Sequence, residues 1–259
     1  MSKLNLGLHI IAIYAIFIGH RIHGGGLHPT NQKEWYGQTF PSQNADNGIY
    51  FAVHRTYPGS YFGLVATMDV YGHNISDGRI ITSIWIHNLD GDRETDENAI
   101  WAGWQVDPRS YGDSRTHFFT SWTKDTYRTG CWDMACPGFQ LANGSKIAPG
   151  ASIDPVSNGV RQTITIKVFK EKSTGDWWIH YGFNTAPTPV GFYPAKLFDK
   201  LSEKATHVAF GSVVGGNPTI PSPPMGSGFL PSDKSALITD IAFMRKMALA
   251  HLSPWIQTN

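Results

Sequence analysis

Between residues 48 and 243, apolar and polar positions alternate in short runs, and clusters of Gly, Pro, Asn and Asp stand between the runs. A period of two sends successive side chains to opposite faces, so each run reads as a strand with one face turned inward. The pattern predicts strands over 48–56, 61–71, 78–87, 99–106, 116–122, 160–170, 176–182, 208–214 and 236–243. The cleanest is Thr163-Ile164-Thr165-Ile166-Lys167-Val168, with Thr and Lys on one face and Ile and Val on the other. Lys172-Ser173-Thr174-Gly175-Asp176 has turn chemistry and joins that strand to Trp177-Trp178-Ile179-His180-Tyr181 as a hairpin. Helical spacing is convincing only over 194–204, where Leu197, Phe198 and Leu201 recur on one side and Pro194 suits a first turn. The Pro-, Gly- and Ser-rich stretch 215–228 reads as a long surface loop. No repeat or linker divides residues 48–259. The expectation is therefore one all-β domain, an antiparallel β-sandwich of jelly-roll kind with one short helix.

Ahead of the alternating region the chain changes character. Lys3 precedes a mostly apolar stretch that is uninterrupted over 10–19 before His20-Arg21. This is the shape of a signal peptide over 1–19, too short to span a bilayer, and no later segment could cross one. Residues 20–47 are polar, Gly-rich and without pattern, which predicts a loose N-terminal arm. Charged residues make up 16% of the chain and the net charge is +1, which argues against a nucleic-acid surface and for a neutral, folded, extracellular protein, with a monomer expected. The two cysteines, Cys131 and Cys136, are followed by Pro137-Gly138, and in an exported chain they read as a tight disulfide. Closing so short a loop is worth about 2 kcal/mol on the chain-entropy account. Zinc would need further thiolate or imidazole partners, which the spacing does not supply, and no metal or cofactor is expected. Asn74-Ile75-Ser76 and Asn143-Gly144-Ser145 are acceptor sequences for N-linked glycosylation.

Unusual residues are densest over 84–139, around Ile100-Trp101-Ala102-Gly103-Trp104-Gln105-Val106. Together with Ser83-Ile84-Trp85-Ile86, Tyr111-Gly112-Asp113, Phe118-Phe119-Thr120-Ser121-Trp122-Thr123 and Thr129-Gly130-Cys131…Cys136-Pro137-Gly138-Phe139, this stretch resembles the signature of the neprosin domain, a plant family of secreted glutamic peptidases. The resemblance implies a pair of glutamates on strands of a β-sandwich, one taking a proton from water and the other giving one to the leaving amine. In the family the first glutamate directly precedes Ala-Gly-Trp, which places Trp101 at that position here. The second lies in a Gly-Gly-Glu-Val-like segment, which matches 208–214 and leaves Ala209 or Val213 at the acidic position. An indole has no titratable proton near neutral pH, and an alkyl group has none at all, so neither half of the pair remains.

By strand parity Trp101, Gly103 and Gln105 share a face, and the resemblance implies that this face lines the substrate groove. Trp101 then becomes either a flat wall for a proline ring or a plug in a dead cleft, with Gln105 able to hydrogen-bond a peptide backbone. Tryptophans 104, 122, 177 and 178 read as core or rim. None of the five glutamates, Glu34, Glu94, Glu97, Glu171 and Glu203, falls on a predicted strand face. Asp107 and Asp113 read as turn formers. No Gly-x-Ser-x-Gly elbow and no His-Glu-x-x-His occurs, and no His/Asp pair stands out. The reading is a secreted, catalytically impaired neprosin-like protein that binds proline-containing peptides. Two alternatives stay open: an active relative using Asp107 and Asp113, and a carbohydrate-binding jelly roll suggested by the many aromatics.

Overall fold

The computed structural model describes residues 11–12, 48–90, 96–157, 159–217, 219, 221–229 and 232–249. The expected signal peptide and N-terminal arm therefore lie outside the described residues, apart from Ile11 and Ala12. Two sheets carry the fold. One runs β1 (Ile11–Ala12), β13 (Leu237–Met244), β3 (Gly63–Asp69), β9 (Thr163–Lys170), β10 (Trp177–Phe183), β11 (Thr188–Tyr193) and β8 (Gln140–Leu141). The other runs β2 (Gly48–Arg55), β12 (His207–Gly216), β4 (Arg79–Asn88), β5 (Asn98–Val106), β6 (His117–Thr123) and β7 (Gly130–Trp132). All strand pairs within the two sheets are antiparallel. This is the expected antiparallel β-sandwich.

The predicted runs appear as β2, β3, β4, β5, β6, β9, β10, β12 and β13. The alternation misses β7, β8 and β11. The first two span only three and two residues, too short to show a period. In β11, Pro189 and Gly191 interrupt the pattern. Pro189 is tolerated because the β10–β11 register shifts between Ile179 and His180, a bulge where a missing N–H costs little.

The helix expected over 194–204 does not form. A single 3₁₀ turn, Ala195–Leu197, stands there, and the chain is already extended at Phe198. The cause is the buried Asn98 side chain, whose carbonyl oxygen accepts the backbone N–H groups of Asp199, Lys200 and Leu201 at 3.0–3.2 Å. Those donors are thereby withdrawn from any helical ladder. Phe198 and Leu201 still bury as their apolar pattern demands, and Trp177 Nε1 donates to Leu201 O at 2.8 Å. The α-helix among the described residues is instead the single turn α1 (Pro108–Tyr111), capped by Asp107.

The main core lies between the sheets. Ile84, Ile86, Ile100, Ala102, Trp104 and Phe118 from one sheet meet Leu64, Met68, Ile166, Val168 and Ile179 from the other. Trp104 Nε1 donates to Asp69 O at 2.8 Å, tying the layers together. A second, smaller apolar cluster sits on the opposite face of the six-stranded sheet and contains Trp101. Every residue of β5 is consequently buried. Alternation in this strand separates two interiors rather than inside from outside.

Candidate functional site

Register decides which side chains meet on the outer face of the six-stranded sheet. One row across the strands reads Ala209, Trp85, Trp101, Ser121. The next reads Gly211, Ser83, Gly103, Phe119, and the one beyond it Val213, Ile81, Gln105, His117. Trp101, Gly103 and Gln105 thus share a face, as parity predicts. Ala209 and Val213 lie on that same face with β4 between them and β5, which puts either of them roughly 10 Å or more from Trp101. The structure brings all the sequence-nominated groove residues together.

The middle row is bare at two of its four positions. A Cβ on Gly103 would stand 2.1 Å from Thr82 O, and one on Gly211 would stand 2.2 Å from Ala52 O, so neither position admits a side chain. Into this trough leans the Trp85 indole, whose Nε1 donates to Ser83 Oγ at 2.5 Å. Trp85 and Trp101 pack with ring centroids 4.7 Å apart at 31°. They are only 4% and 5% exposed, and Val213 is 4% exposed. Trp101 is therefore packed against its neighbour instead of presenting an open aromatic wall. The accessible aromatics are at the rim. Tyr127, 42% exposed, meets Trp101 edge to face at 6.2 Å, and Trp132, 39% exposed, packs on Phe119 with the Arg79 guanidinium 5.7 Å from its ring.

One carboxylate reaches this face from a place the sequence reading dismissed. Glu97 precedes β5 by one residue, and its buried Oε1 accepts from the buried His87 Nδ1 at 2.5 Å. His87 follows Trp85 on the same face of β4, 6.1 Å from it. Its Nε2 is buried without a hydrogen-bond partner. The parity 97–99–101 and 85–87 was present in the sequence. Pairing the two residues needs the β4–β5 register, in which Asn88 faces Asn98. The partner of Glu97 is an imidazole, not a second carboxyl group.

At the other end the face turns polar. The Tyr111 hydroxyl donates to Asp133 Oδ2 at 2.6 Å, and Thr120 N donates to Asp133 Oδ1 at 2.9 Å. Burial raises the Asp133 carboxyl despite those bonds. Tyr111 stacks on His117 at 3.9 Å, and the two His117 nitrogens meet Asp113 Oδ1 and Gly150 O. Hydrogen bonds from Arg115 and His117 hold Asp113 well below the usual carboxylate range. Asp107 accepts from Arg109 N and Ser110 N as the cap of α1. Both aspartates thus serve the turn, as their sequence context suggests. Asp133 escaped the sequence reading because it lies in the short loop closed by the Cys131–Cys136 disulfide, whose Cα atoms are 5.9 Å apart.

Tryptophans 104, 122 and 177 belong to the main core, and Trp178 is half-buried on the other sheet. Among the described residues no group of three or more His, Cys, Asp and Glu side chains could hold a metal ion, and no helix is long and apolar enough to cross a membrane. Asn74 and Asn143 are both exposed.

Solved structures that align with this chain include the following two. One is an endo-1,3-β-glucanase from Streptomyces sioyaensis, with 11% identity and a TM-score of 0.31 over 76% of this chain and 74% of that one. The other is a β-porphyranase from Bacteroides plebeius, with 10% identity and a TM-score of 0.34 over 76% of this chain and 65% of that one. Likeness this distant says nothing of chemistry. The neprosin family, by contrast, matches residues 80–257, a span that includes Trp101, Gly103, Gln105, both cysteines and β12. With the outer face of β5 and β12 laid out as above, and with more than half of the chain matched, this protein belongs to the Neprosin family.

Proposed function

We propose that this is a secreted neprosin-family protein without glutamic peptidase activity, and that it holds proline-containing peptides against the aromatic rim of the six-stranded sheet. The observation that carries the reading is the apolar cluster of Trp101, Val213, Ala209, Trp85 and Ile81 on one sheet face. Splitting an amide with two side chains requires one proton acceptor for water and one proton donor for the departing nitrogen, within reach of the same bond. Indole and isopropyl groups supply neither. The buried pair His87–Glu97 is an imidazole bound to a carboxylate, and the acids at the polar end are engaged with Tyr111, Arg115 and His117.

Peptide contact then falls to Tyr127 and Trp132. Flat, rigid rings suit a proline face, and the Arg79 guanidinium beside Trp132 can donate to a peptide carbonyl. Secretion is supported by the disulfide, which persists in oxidising compartments, and by family membership. The test is incubation with proline-rich peptides at acid pH, followed by mass spectrometry and by titration of intrinsic fluorescence. The expected result is saturable quenching with intact peptide. Specific cleavage that survives inhibitors of other protease classes overturns the reading. Trp101→Glu alone is expected to create no turnover, since the second position, Ala209 or Val213, still carries no acid.

A further inference from the structure

On the other sheet, away from the peptide rim, a shallow dish of about 410 Å³ is bounded by Leu141, Ala142, Asn143, Trp178, Pro189 and Phe192. Trp178 and Phe192 are directly opposite each other on β10 and β11, with ring centroids 4.9 Å apart at 30°. Both are half-buried, and Leu141 is 44% exposed. No charged side chain lines the dish, so it fits a neutral, amphipathic body with one apolar face. Its rim carries the acceptor of one glycosylation sequence. Asn143 is exposed in a tight turn in which Ser145 N donates to Ala142 O at 3.2 Å and Gly144 takes φ +77°. Exposure in this turn leaves room for a glycan on the folded protein.

We propose that Asn143 carries an N-linked glycan whose first N-acetylglucosamine packs into this dish over Trp178 and Phe192. The sugar comes from a lipid pyrophosphate-linked oligosaccharide. The Asn143 amide nitrogen bonds to the anomeric carbon, the carbon–oxygen bond to the lipid pyrophosphate breaks, and the amide proton passes to the transferase base. A pyranose ring presents axial C–H groups on one face, and aromatic faces bury such surface while the hydroxyl edge stays in water. Linkage to Asn143 makes the contact intramolecular, so a weak individual interaction is held at high effective concentration.

The full chain secreted from a eukaryotic host, in an Asn74→Gln background that leaves Asn143 as the remaining acceptor, tests this. Peptide mapping is expected to find Asn143 occupied. Trimming to a single N-acetylglucosamine should leave the Tm unchanged, while complete removal should lower it by about 3 °C, a shift readable in a domain of this size. In Trp178→Ala the loss on complete removal should fall below about 1 °C. A second readout needs no variant: in protein carrying isotope-labelled sugar, the proximal ring protons should shift upfield from the ring currents. An unmodified Asn143, equal Tm losses with and without Trp178, or sugar signals at their solution positions would overturn the proposal. None of these outcomes bears on peptide binding, which uses the other sheet.

Discussion

Trp101 and Trp104 stand on one strand, face opposite ways and are both buried, yet the two burials differ in kind. Trp104 is fully enclosed between the sheets and its Nε1 reaches across to Asp69 O. Trp101 lies in a satellite cluster whose other members come from its own sheet. Burial of a large aromatic therefore marks the layer contact in one case. In the other it marks packing of one indole on its cross-strand neighbour Trp85 within a single sheet face.

That contrast can be broken most directly by truncation. Trp104→Ala should cost about 4 kcal/mol, in the range for deleting a core aromatic, whereas Trp101→Ala should cost roughly half as much because a one-sheet cluster can collapse more freely. Urea unfolding of both variants decides it, and equal costs would mean that the outer cluster is as much a part of the fold as the inner one. Next in size is the disulfide. Cys131 packs in the main core while the following residue, Trp132, points to the outer face. Replacing both cysteines by serine should lower stability by about 2 kcal/mol.

A pH effect is expected at the turn between β9 and β10, away from both clusters. Burial alone would raise the Glu171 carboxyl, but hydrogen bonds from the amides and hydroxyls of Ser173 and Thr174 outweigh it and hold the group down to about 2. A lowered carboxylate stabilises the fold above its ordinary value of 4.5, and that contribution fades as pH falls from 4.5 through 2. Across that window Glu171→Gln should lose less stability than the native chain, measured by thermal unfolding at successive pH values. Smallest of all, Trp132→Ala should change stability by less than about 0.5 kcal/mol, as an exposed rim position allows. The same variant should weaken proline-peptide binding clearly, which calorimetry would register.

Parity, turn residues and the two-residue period made the sandwich and its longer strands legible. The same parity placed Trp101, Gly103 and Gln105 together, because a strand's side chains alternate whatever surrounds it. Short segments carried too few positions to show a period, which is why β7 and β8 were invisible. The helix that failed at 194–204 was lost to Asn98, about a hundred residues earlier in the chain, and no local pattern reports a bond of that range.

By itself, then, the chain's order of residues determined the class of fold, the disulfide partners and the absence of acids at Trp101 and at Ala209 or Val213, since these depend on side-chain identity and local periodicity. Only the tertiary structure decided that the indole at 101 lies packed on Trp85, that His87 meets Glu97, and that Asn143 borders an aromatic dish. Each of those contacts joins residues on different strands or loops, and their meeting is fixed by the register between strands, which local periodicity does not encode.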